Sequence, residues 1–119
     1  MDYSQLSDFE INKRVAICCG FAPEDCEIAK LGTSIVGVEW DDETGYAIKT
    51  VDYCKSPADA WPVIAKHQIS ICAYERNNPG MKNEYWWEAD RFCEFITIDN
   101  NPLRAAMIVF LMMQENQNG

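Results

Sequence analysis

The spacing of apolar residues along the chain switches between helical and extended periods, and each switch marks an element. Ile11, Val15 and Cys18 recur at the spacing of one helix face, with Lys13 and Arg14 on another. Ser7 stands where an N-cap would, Glu10 completes a capping box, and Leu6 and Ile11 are placed as a hydrophobic staple. Gly20 is suited to end the helix, so the pattern predicts a helix over about 8–19. Residues 21–33, with Pro23, Gly32 and the acidic cluster Glu24, Asp25 and Glu27, read as irregular. In TSIVGVEW, Val36, Val38 and Trp40 alternate onto one face. DDETG then turns on Gly45, and YAIKTV returns, which predicts a β-hairpin over 34–52.

The stretch CKSPADAWPVIAKH, 54–67, carries opposing signals. Ser56 is a good N-cap, Pro57 a good first helical residue, and Asp59 can bond back to the Ser56 amide. Pro62 lacks an N–H and disfavours helical geometry at Trp61. The prediction is two short pieces, about 57–60 and 62–67, with Trp61 at the break as an anchor into the core. ISICAYE alternates again, with Ile69, Ile71 and Ala73 on one side. RNNPG suits a type II turn at Pro79-Gly80. EYWWEAD is a strand candidate, and FCEFITID is a further strand or an extended lead into the last helix. Asn101 and Pro102 start that helix, which runs to about Gln114 before a polar tail.

The order α-β-β-α-β-β-α, joined by hairpins, predicts an α+β fold. It would hold a small antiparallel sheet of about four strands, two main helices and one short one in a single domain. A chain of 119 residues suits one domain that needs neither metal nor disulfide to fold. In the last helix Leu103, Met107, Phe110 and Leu111 form a stripe, and Ile108, Val109 and Met112 cover most of the rest. A helix apolar nearly all round must be buried nearly all round. The burial is against the sheet or, alternatively, at the interface of a homodimer.

A formal net charge of −9 repels phosphate, and the ten Lys and Arg residues are scattered, so direct nucleic-acid binding is not expected. The acidity suits a basic protein partner; imitation of nucleic acid is a weaker alternative that requires carboxylates in rows. The six cysteines accompany an acidic N-terminus without a secretory pattern, which predicts free thiols in a reducing cytoplasm. The apolar run AAMIVFLMM, 105–113, is shorter than the roughly 20 residues that span a bilayer, so no membrane span is expected. No phosphate-binding glycine loop, HExxH or CxxC is present, and neither cofactor nor metal is expected.

Two candidate sites remain. A small enzyme or ligand binder would have to use His67, the sole histidine, with Cys54, Cys72 or a carboxylate, in a pocket lined by Trp61, Trp86 or Trp87. His67 is more simply a cap at a helix C-terminus, with Asp59 a capping residue. In NEYWWEAD, period two sets Tyr85, Trp87 and Ala89 on one face and Glu84, Trp86, Glu88 and Asp90 on the other. If the first face is core, Trp86 is an exposed aromatic flanked by carboxylates, suited to a cationic side chain of a partner.

Three blocks also carry a resemblance: MDYSQLSDFEINKRVA, CKSPADAWPVIAKHQIS and NPLRAAMIVFLMM. In this order they resemble the NinX-like family of small proteins from lambdoid phages and enterobacterial prophages. In that family an N-terminal helix, a Ser/Asn-Pro segment with Asp, Trp and Pro, a Trp-containing strand and a final helix recur. The blocks span about half of the chain; residues 21–50 and 75–83 lie outside them. The resemblance implies an accessory phage protein in the cytoplasm of an enteric host and brings no catalytic residue with it.

Overall fold

The computed structural model describes residues 1–118. Three helices, α1 (Asp8–Cys18), α2 (Pro57–His67) and α3 (Pro102–Asn118), combine with six strands. The strands are β1 (Glu27–Ile28), β2 (Val36–Trp40), β3 (Ala47–Val51), β4 (Ser70–Arg76), β5 (Glu84–Arg91) and β6 (Glu94–Asp99). The fold is α+β and antiparallel, but the expected single sheet is two three-stranded ones, β1-β2-β3 and β4-β5-β6. Each expected hairpin recruits one further strand of its own: β1 from the stretch read as irregular, and β6 from the candidate at 92–99. The chain between the sheets is drawn away by α1. The Asn12 side chain donates to Asp52 Oδ1 (2.7 Å) and the Ser34 carbonyl (2.8 Å), and accepts from the Cys54 amide (2.9 Å). β3 therefore leads off its sheet into α2 rather than up to β4.

The helix ends follow their caps. Ser7 Oγ accepts from the Glu10 amide at 3.1 Å, and Gly20 at φ +108° lets Phe21 N–H close on the Ala16 carbonyl. Asn101 caps α3 by accepting from the Leu103 and Arg104 amides with its side-chain oxygen, while its side-chain Nδ2 donates to the Cys54 carbonyl at 2.7 Å. Arg104 joins the start of α3 to Asp8 (2.7 Å) and Asp99 (3.0 Å). α3 runs past the expected end at Gln114, because the Tyr3 hydroxyl donates to the Glu115 carboxylate at 2.9 Å and holds that turn.

The expected break in α2 is absent. Pro57–His67 is one helix with Pro62 inside it, capped by Ser56 Oγ on the Asp59 amide and ended by Gln68 in the left-handed region. Trp61 is not a core anchor: it is 64% exposed, since the buried face of α2 is Ala60, Val63 and Ile64. Asp59 does not close the capping box either. Its carboxylate accepts from the Asp52 amide at 2.9 Å, and Ser56 N–H goes to the Asp52 carbonyl.

Residues 105–111 of α3 are all buried, between the inner face of β4-β5-β6 and the helices α1 and α2. Each fully covered side chain such as Met107 or Val109 contributes about 1.5–3 kcal/mol of transfer free energy. The all-round burial that suggested a dimer is thus achieved within one chain. In the other sheet, register shifts around Glu39 turn the Trp40 ring over Gly37, onto the face opposite to the one expected. Its indole N–H donates to the Asp25 carbonyl at 2.7 Å.

The molecule is elongated. Its radius of gyration is 15.9 Å, against about 13.5 Å for a compact domain of this length, and its longest extent is 60 Å. The cause is the β4–β5 hairpin. Pairing of β5 with β6 stops at Trp87 opposite Asp99, so Tyr74–Arg76 and Glu84–Trp86 continue as a two-stranded ribbon. The Asn78–Met81 turn at its tip uses Gly80 at φ +79°.

Candidate functional site

The register of β4 and β5 decides what shares a face. Ser70 lies opposite Asp90, Cys72 opposite Glu88, Tyr74 opposite Trp86 and Arg76 opposite Glu84. Directly opposed side chains in an antiparallel pair point the same way. The inner face holds Ala89, which is fully buried, and Thr97, whose hydroxyl donates to the Met112 sulfur. The Tyr74–Trp86 face therefore points to solvent. The face expected to be core holds only at its inner end: Ala89 is buried, Trp87 half-buried and Tyr85 66% exposed, because the ribbon outruns α3.

On the outer face the Tyr74 and Trp86 rings stack at 5.8 Å and 8°. The Arg76 guanidinium lies over the Trp86 ring at 5.8 Å and reaches Glu84 at 3.5 Å. Trp86 is thus half-buried, with Tyr74 and Arg76 of its own hairpin against the ring. Both members of the ion pair are well exposed, so it adds little to stability. Glu88 raises the Tyr74 hydroxyl above its ordinary range, as a carboxylate on the same face must. Ile98, opposite Glu88, continues the apolar surface and is 62% exposed; Ile96 is exposed as well. The carboxylates Glu84, Glu88 and Asp90 form a short row, interrupted by Trp86 and countered by Arg76.

Of the predicted site residues, Glu84, Trp86 and Glu88 come together here, and Asp59, Trp61 and His67 do not join them. Asp59 is committed to the Asp52 amide. Trp61 stands alone on α2. His67 ends α2 with its ring tilted on Phe110 at 4.8 Å. It borders a cleft of about 210 Å³, whose cysteines are Cys18 and Cys19 rather than the expected Cys54 or Cys72. Cys54 is buried at the α3 cap, its thiol pushed up to about 12 by burial, and Cys72 lies on the outer face of β4. Cys18, placed on the apolar stripe of α1 by its spacing, is exposed. Partial desolvation, with Lys66 and Arg91 adding to it, lowers the His67 imidazole; partial desolvation of the sulfurs raises the Cys18 and Cys19 thiols, although both residues are exposed overall. Both shifts oppose a thiolate–imidazolium pair. Among the described residues no group of three or more His, Cys, Asp or Glu could hold a metal ion.

Sequence reasoning missed Tyr74, Arg76, Ile96 and Ile98. The signal was available for Tyr74: ISICAYE alternates, so Tyr74 falls opposite the Ile71 side, and only the hairpin register was needed to carry it to Trp86.

The chain is thus a small α+β protein whose aromatic and acidic groups converge on an open sheet face rather than in a cleft. A family model described as Bacteriophage P22, NinX matches residues 2–114, and the chain belongs to that family. No curated protein and no solved structure matches it. No helix among the described residues is long and apolar enough to cross a membrane.

Proposed function

We propose that this phage protein is a non-enzymatic binding module of the host cytoplasm, taking a host or phage protein that presents basic side chains. The observation that carries the reading is the Tyr74–Trp86 stack, open to solvent and fringed by Glu84, Glu88 and Asp90. An aromatic face beside carboxylates is the arrangement that holds a guanidinium or ammonium group. Arg76 already occupies that position from within the chain, and a partner arginine competes for it. The net charge of −9 steers a basic partner toward the molecule and nucleic acid away from it.

The test is affinity capture from infected host lysate with the native protein and Trp86→Ala, both checked for folding by circular dichroism. A protein recovered with the native chain and depleted with the variant supports the reading. Equal recovery with both, or no protein recovered with either, overturns it.

A further inference from the structure

The four outer edges of the two sheets are not alike. β1 is two residues long, and β3 pairs with β2 through register shifts and carries Lys49 at its centre. β6 pairs with β5 through another shift and places Phe95 at φ +54°. Such irregularities and central lysines are what keep an edge strand from accepting another. β4 has none of them. Ser70–Arg76 runs in unbroken register with β5, without proline, lysine or bulge, and its charged residues, Glu75 and Arg76, lie at the far end. No strand pairs with its other side, and residues 70–76 make no other backbone hydrogen bond among the described residues. The strand is exposed along most of its length.

This open edge borders the Tyr74–Trp86 face. We propose that the partner binds by strand addition, as an extended protein segment pairing with β4 and carrying Lys or Arg at alternate positions. The proposal rests on the binding reading above and specifies its mode. Alternate side chains of an added strand fall on the outer face beside Ser70, Cys72 and Tyr74. From there Glu88 and Asp90 on β5 are two strand spacings away, about 10 Å, which a lysine or arginine stem and a carboxylate side chain close between them. The acidic row lies on this face, so charge favours a basic segment over a second copy of this acidic chain.

Two peptides of one composition test it: Lys-Val-Lys-Val-Lys-Val-Lys, and the block permutation with its four lysines first. Binding is read by anisotropy, with amide hydrogen exchange along β4. Proline is placed at Cys72 and, separately, at Ala73, with Cys72→Ala as control. Successive amides of a strand point to opposite sides, so one of the two prolines leaves the β4–β5 ladder intact, identified by native circular dichroism.

The expected result is roughly tenfold tighter binding of the alternating peptide, with slowed exchange over 71–76. That preference disappears in the folded proline variant, and Trp86→Ala weakens binding. Equal affinity for the two peptides, or native affinity in the folded proline variant, overturns strand addition; a loss on Trp86→Ala then still supports the binding face. Failure of both peptides to bind, or no effect of Trp86→Ala, overturns the face itself.

Discussion

The Asn12 side-chain oxygen accepts the Cys54 amide at 2.9 Å, joining positions 42 residues apart in the chain. Asn12 is fully buried, and its amide nitrogen serves the Ser34 carbonyl and the Asp52 carboxylate at the same time. Asn12→Leu keeps the volume and removes every one of these bonds, leaving buried groups unsatisfied. The expected loss is at least about 2 kcal/mol in urea unfolding. A change within about 0.5 kcal/mol, the range of an ordinary surface site, would show that the network is incidental.

A Cβ on Gly37 would overlap the Trp40 ring, which the bulge and the Asp25 carbonyl fix in place. Gly37→Ala is expected to cost about 1–3 kcal/mol by overpacking. In a Trp40→Ala background the same change is expected to be close to neutral. A double-mutant cycle measures this as a coupling of at least about 1 kcal/mol. Additive costs would contradict the contact.

His67 is lowered from its ordinary 6.5, so in the window just below 6.5 the unfolded chain binds more protons than the folded one. Stability therefore falls as pH drops through 6.5 toward the folded value, and this contribution is complete above 6.5. The melting temperature of the native protein should drop more between pH 7.5 and 5.5 than that of His67→Gln. Parallel drops would mean that the ring against Phe110 is as easily protonated as a free one.

Trp61 discriminates a buried anchor from a surface residue. A buried tryptophan truncated to alanine costs about 3–5 kcal/mol. With the ring 64% exposed, Trp61→Ala is expected to change unfolding free energy by less than about 1 kcal/mol. A larger loss would place the ring against the core.

What the chain reveals by itself is its local chemistry. Ser7, Gly20, Asn101 and Gly45 carry out the capping and turning that their types and spacings announce, and α3 is buried as its composition demands. What fails are judgements that depend on distant partners. Pro62 should break a helix by local rules, yet Val63, Ile64 and Ala60 bury enough surface to hold the turn around it. One sheet and two cannot be told apart without knowing that Asn12 pulls the chain at Asp52–Cys54 aside. At the site, period two placed Glu84, Trp86 and Glu88 on one face; Tyr74, Arg76 and Ile98 required register between strands, which a single chain does not print.

The ribbon beyond Trp87 stands clear of α3, and its substitutions have little to disturb. A two-stranded ribbon contributes little to holding a domain together. Its residues can therefore change while the folding energy, lodged in α3 and the walls around it, stays where it is. On the binding reading proposed above, recognition and foldedness rest on separate stretches of this chain, and the Tyr74–Trp86 face tolerates substitution with little cost to the fold.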